Sequence, residues 1–318
     1  MHFSHPFPFD PHYGYDLNGL LQVPAPEEPE DFAVFWQTLY ECARQITVQP
    51  AWHEVDCRHD QYRLFDVEFF SLDRFRVHGW VLLPRHEPVE RGVVIGHGYG
   101  GRDGPDWDIP IARAAMIFPC ARGLSRSATQ AISADPAWHV LHSIQNRHAY
   151  ILGRCTADTL WCAASALVEL VPEAAKHLDY LGISFGGGIG ALGLAWDQRF
   201  QKAHLNVPSF GQQPMRLHWP CVGSGEAVRR YNQRRGDVLD VLSYFDGAAA
   251  AKHINIPVHV AAALFDPAVP PPGQYAIYNA LAGPKDLFVL QAGHFEHAGT
   301  SAESETLKQA LAVFFRAA

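Results

Sequence analysis

The sequence predicts an α/β fold, a mostly parallel central sheet of about eight strands with helices on both faces. From residue 92 onward, short apolar runs bounded by turn residues alternate with helical stretches: GVVIGHG, AMIFPC, LDYLGIS, AHLNV, VHVAAALF and LFVLQAG. Strands covered on both faces carry that nearly unbroken apolar signature. Ahead of them, LFDVEFF sets Phe65, Val67 and Phe69 against Asp66 and Glu68, and RVHGWVLLP stops at Pro84. Such alternation suits an antiparallel edge. With 48% hydrophobic and 18% charged residues in 318, the chain can fill a sizeable core.

Residues 1–30 are rich in Pro, Phe and His, end in PAPEEPE, and read as an extended arm. Residues 31–318 read as a single domain. Asp31 is an N-cap candidate, followed by Phe32, Phe35, Trp36 and Leu39 at helical spacing. In ADTLWCAASALVEL and the Val171 that follows it, Leu160, Ala164, Leu167 and Val171 line one side. At the C-terminal end Thr300 and Glu303 stand in capping-box order ahead of Leu307, Leu311 and Phe314. Segment 208–243 interrupts the alternation as an insertion between two strands. Its Arg229, Arg230, Arg234 and Arg235 read as a solvated or subunit-contacting helix face.

A formal net charge of −8 argues against a nucleic-acid surface and against attraction to anionic lipid. No apolar run approaches the ~18 residues of a membrane span. MHFSHPFPFD lacks a basic region followed by an apolar stretch, so no secretory signal is expected. The six cysteines form no CxxC pair and no disulfide framework, and Cys155 and Cys162 read as small buried hydrophobes. The expectation is a reduced, soluble, cytoplasmic protein.

The sharpest local signal is Gly182-Ile183-Ser184-Phe185-Gly186, with an apolar strand before it and a small-residue helix after it. The G-x-S-x-G pattern in that context is a nucleophile elbow; a glycine-rich turn with an incidental serine is the competing reading. A serine hydroxyl needs a general base held by a third group. In this arrangement the chain order is Ser, acid, His. Asp266 follows the strand VHVAAALF, although an Asp before Pro267 also initiates turns. His294 follows the last strand, with Glu296 and His297 as its nearest competitors. The backbone N–H of Phe185 and that of Tyr99, in the loop VVIGHGYGGRDG, are the candidate oxyanion donors. HFEH lacks metal-ligand spacing and a third ligand, and the same holds for His2, His5 and His12. No phosphate or dinucleotide glycine pattern occurs, so neither metal nor cofactor is expected.

From about Asp31 to the C-terminus the chain resembles carbohydrate esterase family 7, the acetyl xylan esterase and cephalosporin C deacetylase group of α/β-hydrolases. PEDFAVFW is similar to the family's opening helix. HGYGGRDGPDW is similar to its oxyanion loop, with Trp107 in the matching place. ARGLSRS stands for the RGQ motif, keeping Arg122 and Gly123 but placing Leu124 at the glutamine. GISFGGG stands for GxSQGG with Phe185 at the glutamine, and AGHFEHAG stands for Gly-His-Glu with Phe295 intervening. The segment DVLSYFDG through YNAL is similar throughout and puts Asp266 at the acid position.

The resemblance implies hydrolysis of short acyl esters through Ser184, His294 and Asp266, with an acyl-enzyme and a substrate pocket that includes Trp107 and Arg122. It also implies small acetylated substrates, residence inside the cell, and a homo-oligomer, a ring-like hexamer, built partly through 208–243. Phe185 and Tyr99 are expected to leave a shallow acyl pocket. Two alternatives stay open. One is a carboxylesterase or lactonase for non-sugar small esters, favoured by Phe185 and Leu124; the other is a non-catalytic α/β-hydrolase.

Overall fold

The computed structural model describes residues 3–236 and 238–316; His2 of the arm, Asp237 of the insertion and the two C-terminal residues lie outside them. The strands are β1 (Ala51–Val55), β2 (Tyr62–Phe70), β3 (Arg76–Pro84), β4 (Arg91–Gly96), β5 (Ala114–Pro119), β6 (Leu178–Ile183), β7 (Phe200–Asn206), β8 (Val258–Ala263) and β9 (Lys285–Leu290). They form one sheet in the order β1-β2-β3-β5-β4-β6-β7-β8-β9. The first three pair antiparallel, as does β3 with β5. All pairings from β5 through β4 to β9 are parallel.

Among the described residues the strands number nine, and β1 is the strand the sequence pattern does not show. In AWHEV only Trp52 and Val55 are half-buried; the other three residues are exposed. The strand is held by tertiary contacts: Trp52 stacks on Phe65 with ring centroids 4.5 Å apart. Across the same pair of strands Arg63 binds Glu54 through two nitrogens.

Helices cover both faces. On one side α1 (Phe32–Arg44), α2 (residues 151–170), α3 (Phe185–Gly193), the insertion helix α4 (Ser224–Arg235) and α5 (Pro271–Ala280) contribute to the larger core, around Phe32, Trp36, Trp161, Ile189, Val228 and Tyr275. On the other side α6 (Thr300–Arg316) packs Leu307, Leu311 and Phe315 over Ile95, Met116, Leu181 and Leu290. Phe315 takes the buried position expected for Phe314, because the stripe runs strictly every four residues. Cys155 and Cys162 are buried in α2. Among the described residues no helix is long and apolar enough to cross a membrane.

Two expected caps do other work. Asp31 makes no capping bond; its carboxylate accepts the Tyr244 hydroxyl and pairs with Arg147 at 3.3 Å. Thr300 accepts the His297 N–H and Glu303 accepts the Gln291 N–H, both at 2.9 Å. Together they clamp both ends of the loop between β9 and α6, which carries His294. The insertion lies between β7 and β8. On α4 Glu226 binds Arg229 and Arg230, while Arg234 and Arg235 are exposed in the last turn.

The root of the insertion is stapled by one carboxylate. Buried Asp246 accepts N–H groups from Gln212 (3.2 Å), Gln213 (2.6 Å), Ala248 (2.8 Å) and Ala249 (3.2 Å). It thereby joins the helical turn Gln213–Arg216 to the short helix Gly247–Ala251. Removing it strands several buried donors, each worth about 1–3 kcal/mol. Asp246→Ala is therefore expected to lower the unfolding free energy in urea by about 3 kcal/mol or more, and Asp246→Asn by less. A midpoint unchanged in Asp246→Ala would show that the staple is idle.

Candidate active site

Strand β6 ends at Ile183 and α3 begins at Phe185, leaving one residue to reverse the chain. That residue, Ser184, has φ 54° and ψ −109°, a conformation that costs an L residue about 1–3 kcal/mol. The glycines on either side explain how the chain gets there. A Cβ on Gly182 would sit 2.4 Å from the carbonyl oxygen of Gly186, and one on Gly186 would sit 2.7 Å from the backbone of Gly96. The Ser184 N–H donates to the Asn206 carbonyl at 2.8 Å, and its own carbonyl accepts from Gly188 and Ser209. The side chain is thus raised at the C-terminal end of the sheet.

Two loops bring the partners. Asp266 lies just beyond β8, fully buried, and its Oδ1 accepts the N–H groups of Ala268 and Val269 at 2.9 Å each. Its Oδ2 accepts from Gln274 at 3.0 Å and from His294 Nδ1 at 2.8 Å. His294 Nε2 is 2.9 Å from Ser184 Oγ. A carboxylate only accepts, so Nδ1 carries the proton and Nε2 is free to accept the serine hydroxyl. Burial pulls the His294 pKa down, but the charge of Asp266 and its hydrogen bond outweigh that and raise it above 6.5. Gln274 on α5 was not singled out from the sequence. Its amide also donates to the Val269 carbonyl at 2.7 Å and accepts the Ala263 N–H, which locks the carboxylate in place.

The loop after β4 passes over the serine: a Cβ on Gly98 would lie 3.7 Å from Ser184 Cβ. His97 shapes that loop. Its Nε2 accepts the Ala121 N–H at 3.0 Å, so Nδ1 donates to the Gly98 carbonyl at 2.6 Å. Burial lowers its pKa to about 4, which keeps it neutral. The His97 carbonyl accepts the Gly186 N–H. Phe185, as the first residue of α3, has no intrahelical acceptor for its own N–H. The Tyr99 ring packs on the Phe185 ring at 4.4 Å, and its hydroxyl meets His139 Nδ1 at 3.3 Å.

Ser184, His294 and Tyr99 border a cleft of about 600 Å³, rimmed also by Ile183, Val222 and Arg216. The Phe185 ring is buried beneath Tyr99 and against Phe210, so Tyr99 alone of the two rings borders the cleft. Trp107 and Arg122, expected in the pocket, lie outside its lining. Trp107 stacks on His59 at 4.5 Å and packs against the α6-side core. Arg122 is buried, grips Asp158 in the π turn of α2 through Nε (2.7 Å) and Nη2 (2.8 Å), and its carbonyl accepts from His139 at 2.9 Å. It supports Tyr99 from behind and does not face the cleft. His297 packs beside Phe3 and Glu303, away from Ser184.

The arm is the largest feature with no role assigned from sequence. Phe3 and Phe7 pack on Phe295 at 5.6 and 6.1 Å, and Phe3, His5 and His12 pack on Phe265. The Pro11 carbonyl accepts the Asp266 N–H at 3.2 Å, and His12 Nδ1 contacts the Leu264 carbonyl at 3.0 Å. It straps the acid loop to the histidine loop. Phe295, the residue inserted into the Gly-His-Glu pattern, is part of that aromatic contact.

The raised pKa is measurable directly. By NMR, His294 is expected to titrate above 6.5, and in Asp266→Asn below it, because burial then acts unopposed. Since the folded pKa is the higher, this histidine's contribution to stability is complete below the unfolded pKa and is lost as pH rises through the folded one. A wild-type midpoint below 6.5 would contradict the electrostatic account.

The acetyl xylan esterase (AXE1) family model matches residues 21–312. The acetyl esterase Axe7A of Xylanibacter ruminicola is 20% identical over 306 residues, covering 90% of this chain and 67% of that protein. An acetyl xylan esterase from Paenibacillus sp. R4 superposes with a TM-score of 0.78 at 22% identity, over 93% of this chain and 99% of that one. Acetyl xylan esterase 1 from Thermoanaerobacterium sp. JW/SL YS485 gives 0.77 at 21% identity, over 95% and 99%. These likenesses agree with the α/β-hydrolase fold, and the family match covers most of the chain. The chain belongs to the acetyl xylan esterase family.

Proposed function

We propose that the protein is a serine esterase that removes acetyl and other short acyl groups from small carbohydrate-type esters. The observation that carries the reading is the unbroken hydrogen-bonded series Asp266–His294–Ser184 at the edge of the cleft. Ser184 Oγ attacks the ester carbonyl carbon while its proton passes to His294 Nε2. The N–H groups of Phe185 and Tyr99 are the donors for the developing oxyanion. Collapse expels the alcohol, which takes the proton from His294 and leaves Ser184 acylated. Water then attacks the acyl carbon, giving a proton to His294, and the carboxylic acid departs as Ser184 is reprotonated. Asp266 holds the Nδ1–H and orients the imidazole throughout.

A second reading, hydrolysis of non-sugar esters or lactones by the same residues, is favoured by the apolar rim, where Ile183 and Val222 are 46% and 58% exposed. The same Val222, within 208–243, and Trp138 at 67% exposure support assembly into a homo-oligomer, for which the family resemblance implies a hexameric ring. Such packing would wall the cleft and keep polymers out. Six unpaired cysteines support a reducing, cytoplasmic setting.

Ser184→Ala and His294→Ala are each expected to cut kcat by at least about a thousand-fold with little change in stability. The kcat/KM should fall on the acid side through a pKa above 6.5, because only neutral His294 accepts the serine proton. With Tyr99 limiting depth, aryl acetates should be preferred to butyrates and octanoates. A deep pocket would instead gain about 0.8 kcal/mol per buried methylene. An octanoate-preferring monomer by light scattering would sink both the acetyl preference and the assembly.

A further inference from the structure

Arg216 borders the cleft, and ester hydrolysis does not use it. The residue is 7% exposed, yet it borders the cavity that holds Ser184. Its Nη1 donates to Gln213 Oε1 at 3.1 Å, and its Nε is buried with no partner. Its Cζ lies 5.5 Å from the centre of the Phe210 ring. Among the described residues no carboxylate pairs with it. Glu226 is bound by Arg229 and Arg230, Asp135 caps the Ala137 N–H, and Asp246 and Asp266 are taken up by backbone and Gln274 or His294. A buried guanidinium left without a counter-charge is costly, and proteins keep one where something else supplies the anion.

A second, independent observation points to the same spot. Gly223 and Ser224, at the start of α4, also border the cleft, and no side chain caps this twelve-residue helix. The Glu226 N–H is taken by the Gly223 carbonyl at 3.1 Å, which leaves the Ser224 and Gly225 N–H groups without an intrahelical acceptor at this end, and the positive end of the helix favours negative charge. Gly225 lets the two features meet: a Cβ there would lie 2.7 Å from Arg216 Nη2 and 3.3 Å from Cys221 Sγ. The guanidinium is immobilised from below as well. The turn Gln213–Arg216 that bears it is the one Asp246 staples in place.

We propose that Arg216 and the N-terminus of α4 form an anion subsite within the Ser184 cleft, and that the preferred substrates are acyl esters that also carry a carboxylate. The inference rests on the esterase reading above and narrows its substrate class. An acidic sugar fits it better than a neutral one. Forked guanidinium contacts suit the planar carboxylate.

The test compares matched pairs of esters. 3-Acetoxybenzoate and 3-acetoxybenzamide place charge or its neutral twin on the alcohol half; aryl hemisuccinate and aryl butyrate do so on the acyl half. For one pair, wild-type kcat/KM should favour the charged ester by about ten-fold or more, mainly through KM. High salt should shrink that ratio, and Arg216→Gln should abolish it. Which pair responds tells which half of the ester faces Arg216. Calorimetry with 3-hydroxybenzoate against 3-hydroxybenzamide reads the subsite without turnover, so a failed esterase reading and a failed subsite remain distinct results. Ratios of one for both pairs in wild type, with no preference in binding, would overturn the proposal. A preference that survives Arg216→Gln would do the same.

Discussion

At the centre of the molecule three glycines and one tyrosine are packed so closely that a single backbone path remains. Gly96, Gly182 and Gly186 touch one another's main chains, and the Tyr180 hydroxyl donates to the Gly186 carbonyl at 2.7 Å from directly beneath Gly96. β4 and β6 are neighbours in the sheet, with Gly96 facing Gly182. Closing α3 down onto that pair forces Ser184 into its left-handed conformation, and the surrounding contacts outweigh the local strain. The same contact draws the loop after β4 over the serine, so the serine and both proposed oxyanion donors share one packing constraint. Substituting any of these glycines would open the turn before it touched chemistry.

The proposed base and acid, His294 and Asp266, come from loops, which need separate restraint. His294 itself has φ 46°, and the Cβ that Gly293 lacks would lie 2.4 Å from Asp266 Oδ2. The loop is clamped at both ends by Thr300 and Glu303 and is covered by the arm, while Gln274 and two backbone amides fix Asp266. The arm thus takes part in active-site geometry although it is remote in sequence. Phe295 separates His294 from Glu296 and finds its place as the surface on which Phe3 and Phe7 rest.

Eight strands and the elbow at Ser184 could be read from local signals, because parallel buried strands and a G-x-S-x-G turn leave their marks within a few residues. Asp266 and His294 are picked out by chain order and position after a strand, and the structure sets them in hydrogen-bonding series with Ser184. What local reading missed depends on distant partners. β1 is held by Phe65 and Arg63 and carries almost no apolar pattern of its own. Thr300 and Glu303 have capping-box spacing, but the competing donors of His297 and Gln291 take their oxygens. Arg122 and Trp107 fit family motifs, yet Asp158 and His59 draw them away from the cleft. Arg216 sits in an insertion with several other arginines, and only burial distinguishes it from the exposed ones on α4.

The central claim is that Ser184 becomes covalently acylated in each turnover. Mixing the protein with an activated aryl acetate, quenching within the first turnover and mapping peptides by mass spectrometry tests it most directly. The account predicts the added mass of one acetyl group on the peptide containing Ser184, appearing with a burst of alcohol product and absent from Ser184→Ala. Rapid turnover with no acetylated serine, or an acetyl group on another residue that forms and decays at the catalytic rate, would contradict it.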